Sequence, residues 1–170
     1  MNAWQFLAAA AVTVGLSTPG GAAEAAPAPS VHGSGMVTLP APFFDEEVAG
    51  DPVRFQLQAQ GAGAATRGTF NVVHLDDAGG LYAHVMGDVT CVTIVDGVAY
   101  TTGIIRKAWL REYPDLNLQG TAAAITVADG GTANDVLGFD FEFFGTTIRP
   151  CQNQDVHPFL PVESGNFHVR

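Results

Sequence analysis

Along DPVRFQLQAQ, residues 51 to 60, Val53, Phe55, Leu57 and Ala59 alternate with Arg54, Gln56, Gln58 and Gln60. A repeat of two places the apolar set on one face of a strand and the polar set on the other. A helix of 3.6 residues per turn cannot sort them that way. The same period recurs in TRGTFNVVHL, LYAHVMGDVTCVTIV, GVAYTTGIIR, GTAAAITVAD, VLGFDFEFFGTTI and GNFHVR, with GSGMVTL in front of them. From Gly33 onward no helical periodicity of useful length competes with it. Phe139, Phe141 and Phe143 form an inward stripe, with Asp140 and Glu142 toward water.

The connections favour consecutive antiparallel pairing. Asp96-Gly97 suits a two-residue type I′ turn, since both residues tolerate the positive φ it requires, and residues 77–80 make a second hairpin. About eight long strands joined as a meander predict an all-β fold, a single antiparallel barrel, with a two-sheet β-sandwich as the alternative. The barrel is preferred because closure hides strand edges.

The ends bound the domain. Phe6 to Leu16 is uncharged, about the length of a signal-peptide apolar region and too short for a bilayer span. Ala23-Glu24-Ala25 fits cleavage before Ala26, although no Lys or Arg precedes the apolar stretch; a buried N-terminal helix is the other reading. The expected layout is a signal peptide over residues 1–25, an extended linker over 26–32 and one β domain over 33–170, with no transmembrane segment after cleavage and a secreted or cell-envelope exterior location. Export makes a bridge between the only two cysteines, Cys91 and Cys151, the expected pairing. It would close a loop of about 60 residues and stabilise by roughly 4 kcal/mol on the chain-entropy account. Two buried thiols are the alternative.

The signature GDVTCVTIVDGVAYTTGIIR, then ITVADGG, then a second cysteine and SGNFHV, resembles a group of small secreted all-β proteins of actinobacteria. The resemblance covers most of the chain after residue 25 and implies export and an all-β fold. Its motifs are structural, so it transfers no catalytic residue.

Charge removes some functions. Seven Lys and Arg stand against seventeen Asp and Glu, a net charge of −10; such a chain is poorly suited to nucleic-acid phosphates or an anionic membrane. Catalytic motifs are also absent. Ser30, Ser34 and Ser164 lie in no nucleophile elbow, and no phosphate loop, dinucleotide fingerprint or HExxH appears. His74 follows the inward parity of Phe70 and Val72, whereas His84 and Asp88 oppose the inward Leu81, Ala83, Val85, Val89 and Cys91. The two histidines are therefore expected on opposite faces. No metal or cofactor is expected; Asp129, Asn134 and Asp135 are weak calcium candidates on a glycine-rich loop without EF-hand spacing.

One segment stands out. RKAWLREYP, residues 106 to 114, concentrates three of the seven basic residues beside Trp109 and Tyr113. The preceding strand is expected to end near Arg106, leaving a long connection of one or two helical turns stopped before Pro114. Either it plugs a barrel end, its cations answering the acidic surface, or Arg106, Lys107, Trp109, Arg111 and Tyr113 form a recognition patch. There the arginines would grip a carboxylate or sulfate, and the rings would take a sugar or an aromatic group. The expected function is non-enzymatic binding of a small apolar molecule in the barrel or of an extracellular partner. The alternatives are an enzyme with its site at the barrel mouth and a structural envelope protein.

Overall fold

The computed structural model describes residues 27–41, 47–131, 134–149 and 160–170. The expected signal peptide therefore lies outside the described residues, as does Cys151 and with it the expected bridge. Nine strands occur among the described residues: β1 (Ser30–Thr38), β2 (Pro52–Gln60), β3 (Arg67–Leu75), β4 (Leu81–Val95), β5 (Val98–Leu110), β6 (Ala122–Ala128), β7 (Val136–Phe141), β8 (Leu160–Pro161) and β9 (Ser164–Val169). Short 3₁₀ turns occupy Gly63–Ala65 and Glu142–Phe144. No helix among the described residues is long and apolar enough to cross a membrane.

All strands belong to one antiparallel sheet, in the order β8-β7-β6-β5-β4-β3-β2-β1-β9. The meander from β1 to β7 is the expected one, and its hairpins follow their turn chemistry: Val95 pairs with Val98 across Asp96 and Gly97, whose φ values are 50° and 79°. The sheet begins at Ser30, so residues 30–32 belong to β1 rather than to a linker.

The expected closed barrel of about eight strands is not what forms. The sheet is strongly curled into a half-barrel, and its edges meet through one terminal segment. Within that segment β8 pairs with β7, through Val136 with Pro161 and Leu137 with Leu160, while β9 pairs with β1. Val162 N–H donates to Asp135 O at 2.9 Å and Glu163 N–H to Met36 O at 2.8 Å, so the chain crosses between the two edges there. A β7–β9 ladder is absent among the described residues.

The curl is built by extra residues in β4 and β5. Bulges fall at His74/Leu75, Met86/Gly87 and Val89/Cys91, leaving Tyr82, Arg106 and Thr90 without a partner in register. A bulge bends its strand and raises the local twist. The concave face buries Val31, Phe55, Leu57, Phe70, Ile105, Ile125, Val127, Leu137, Phe139 and Phe167 in one cluster. Each large side chain removed from water there stabilises the fold by roughly 1.5–3 kcal/mol.

Thr90 also corrects the expected placement of Cys91. Past the bulge the parity of β4 reverses: Val92 joins Thr101, Ile125 and Phe139 on the inner face, and Cys91 aligns with Thr102 and Ala124 on the outer one. Ala124 packs with Ile148 in a separate small cluster on that outer side. Cys91 is 1% exposed despite facing outward.

Candidate functional site

Among the described residues the inner face is packed with apolar side chains, and its titratable groups lie toward the rim. At one rim, His74 projects inward as its parity requires, and its Nε2 lies 2.8 Å from Asp51 Oδ2. Tyr82, displaced by its bulge, brings its ring to 4.6 Å from the imidazole. Burial pushes the His74 imidazole below its ordinary value of 6.5, against the opposing pull of the Asp51 carboxylate. The unfolded chain therefore takes up a proton at His74 more readily than the folded one. The contribution of His74 to stability is complete above about pH 6.5 and is lost as pH falls toward the folded value. The urea midpoint should decline between about pH 7.5 and pH 5, and decline less in His74→Gln; equal declines would place the effect on other groups.

Arg111 belongs to this rim too. It pairs with Asp76, Nη1 to Oδ2 at 2.7 Å, donates from Nη2 to Leu81 O at 2.6 Å, and lies 5.5 Å from the centre of the Tyr82 ring. The guanidinium holds the Asp76 carboxyl below its usual range. Arg111 thus ties the end of β5 to the β3–β4 hairpin.

The candidate recognition residues are not brought together as one patch. β5 runs through Leu110, with His84 opposite Trp109 and Met86 opposite Lys107, so the expected helical turns do not form. Ala108 and Leu110 pack on the core, while Lys107 and Trp109 face outward. Arg106 occupies its bulge and pairs with Asp88. That pair is exposed and contributes at most about 1 kcal/mol. Tyr113 stands in the turn beyond the strand, 63% exposed.

Lys107 and Trp109 instead mark the end of a wider outer face. In cross-strand register, Asn166, Ser34, Gln56, Asn71, Met86 and Lys107 form one row; His168, His32, Gln58, Thr69 and Asp88 form the next. A cavity of about 430 Å³ opens on this face, lined by His32, Ser34, Gln56, Gln58, Thr69, Asn71 and Asn166 with the backbone near Gly33 and Leu57. Its size falls within the roughly 300–1,000 Å³ range of small-ligand sites.

No protein family, curated protein or solved structure matches this chain.

The cavity's hydrogen bonds have a direction. His84 Nε2 lies 2.7 Å from Asn71 Oδ1, which requires the proton on Nε2, and Asn71 Nδ2 donates to Gln56 Oε1 at 3.2 Å. The Gln56 amide NH₂ is left at the cavity as a donor. At the far end Asn166 Nδ2 donates to His168 Nε2 at 3.1 Å. Asn166 Oδ1 is buried without a hydrogen-bond partner. An unmatched buried acceptor costs about 1–3 kcal/mol until something donates to it. The site therefore offers a donor at Gln56 and an acceptor at Asn166, with Ser34 and Thr69 hydroxyls beside them.

The weak calcium candidates have other partners. Asp129 Oδ1 accepts from Gly131 N–H at 2.9 Å and its Oδ2 from Val169 N–H at 3.1 Å, bonds that lower its pKa. Asp135 accepts from Gly130 N–H at 3.0 Å and Phe167 N–H at 2.7 Å. The Asn134 N–H turns back to Gly131 O at 3.3 Å. No group of three or more His, Cys, Asp or Glu suited to a metal occurs among the described residues.

Sequence reasoning located His84, Lys107 and Trp109 but missed Gln56, Gln58, Asn71 and Asn166. Their signal was compositional. In a chain of net charge −10, the outward positions of β1, β2, β3 and β9 hold not one Asp or Glu.

Proposed function

We propose that this chain is an exported, non-enzymatic binding domain that holds a carbohydrate on the polar outer face of the half-barrel. The observation that carries this reading is the pairing, in one uncharged cavity, of a free amide donor at Gln56 with a buried acceptor lacking a partner at Asn166. A hydroxyl donates and accepts at once, so a polyhydroxylated ligand satisfies both groups where an apolar one satisfies neither. Trp109, 38% exposed, stands beside His84 as a flat apolar surface for a sugar ring. The filled inner face gives an apolar ligand no comparable support. Export rests on the residue 6–16 apolar stretch and on the resemblance to secreted actinobacterial proteins; the Cys91–Cys151 bridge belongs to the same reading.

Binding of the secreted protein to an oligosaccharide array tests the site. Gln56→Ala with Asn71→Ala should weaken binding roughly tenfold, about the loss of one or two net hydrogen bonds, with the melting temperature nearly unchanged. Unaltered binding in a folded variant would remove the cavity from the site. The intact mass of the same preparation tests export: cleavage before Ala26 and a deficit of about 2 Da are expected for a bridged mature chain, and an uncleaved or fully reduced mass would overturn that part.

A further inference from the structure

We infer that the carbohydrate is an acidic polysaccharide, bound as an extended chain across the outer face through its carboxylate or sulfate groups; this rests on the binding face proposed above. The charges of the molecule are segregated. Of its seven basic residues, Arg54, Arg67, Lys107 and Arg170 all project from the outer face, exposed and, among the described residues, without an ion pair. Arg106 lies there as well, neutralised by Asp88, the one acid in the rows across the cavity.

Strand geometry places these cations around the cavity. Arg54 is the outward residue next to Gln56 along β2, and Arg67 the one next to Thr69 along β3, each about 7 Å away. Arg170 extends β9 beyond His168 and exchanges both backbone hydrogen bonds with Ser30. Lys107 ends the row that begins at Asn166, five strand spacings away, or about 24 Å. A single small anion needs one cation, whereas cations spread over this length suit a polymer carrying repeated negative groups. An acidic protein whose outer strands β1, β2, β3 and β9 carry no carboxylates of their own presents a local positive field there, which attracts polyanions while the rest of the surface repels them. Guanidinium groups match carboxylate and sulfate oxygens with paired donors.

The test is binding of the mature protein to three soluble polymers, an oligogalacturonate, dextran sulfate and neutral dextran, at about 0.05 M and 0.5 M salt. Binding of either acidic polymer, weakened by salt and at least tenfold stronger than that of dextran, is expected; which one binds distinguishes carboxylate from sulfate recognition. Arg54→Gln with Arg67→Gln and Lys107→Gln should reduce it about tenfold while thermal unfolding is unchanged, because all three side chains are exposed. If neutral sugars bind equally well and the triple variant behaves as the parent, the acidic ligand is overturned and the binding face stands. Equal binding to single-stranded DNA of matched charge would also overturn it, showing only a general attraction for polyanions. If none of the polymers binds and the oligosaccharide array is blank, both readings fall.

Discussion

Asp135→Ala should destabilise the domain by roughly 3–5 kcal/mol, the largest effect expected of any single polar substitution in it. Asp135 is 4% exposed. One carboxylate oxygen holds the Gly130 N–H and the other the N–H of Phe167, a residue with no exposed surface. Alanine would leave two donors without acceptors, and water reaches the second of them poorly. The location amplifies the loss. Asp135 precedes β7, next to the short edge strand β8, and Phe167 lies in β9, the strand at the opposite edge of the sheet. Their contact replaces part of the ladder that a closed barrel would have made. Asp135→Asn should fall between, since it keeps one acceptor and turns an amide NH₂ toward a backbone N–H. Urea unfolding of the three proteins would check the order, and hydrogen exchange at Phe167 should accelerate first. A midpoint unchanged in Asp135→Ala would mean that the β1–β9 ladder holds the terminal strand alone.

The period-two pattern made the meander legible because each strand states its own inward face. It placed His74 inside and His84 outside, and the Asp96-Gly97 turn fixed a hairpin. What it missed depends on single residues or distant ones. Thr90, as one unpaired residue, reverses parity and moves Cys91 to the other face. The alternation of Lys107 and Trp109 with Ala108 and Leu110 did continue β5, but the cluster of basic and aromatic side chains suggested an excursion instead. Closure failed for a non-local reason: residues 160–170 divide between two edges, which no strand pattern announces. The candidate site was harder still. Its donors and acceptors come one or two at a time from β9, β1, β2 and β3, so no local motif exists. Only the lack of acids on those strands, in a chain so acidic, marked the face.

Gly87→Ala should destabilise the domain by about 3 kcal/mol, at the upper end of overpacking effects. Phe70 and Gly87 face each other on the concave side, and Ile105 continues the same row. A Cβ at Gly87 would be driven into Phe70 Cζ and the Ile104 carbonyl oxygen, well inside contact distance, and would lie 2.5 Å from Phe70 Cε1. Gly103, in the neighbouring strand, receives the same ring: its Cβ would lie 2.9 Å from Phe70 Cε1. Phe70 therefore lies on bare backbone from two strands, beside the bulges at Met86/Gly87 and Val89/Cys91 that bend β4 and β5. The ring can turn aside but the carbonyl is fixed by the β4–β5 ladder, so relief would require the bend itself to open. Phe70→Leu should accordingly recover part of the loss, and the double variant should be less destabilised than the sum of the singles. Full additivity would place the strain in the backbone alone. Because the outer face bends with the inner one, the opened bend should also weaken ligand binding at Gln56 and Asn71, although neither residue touches Gly87.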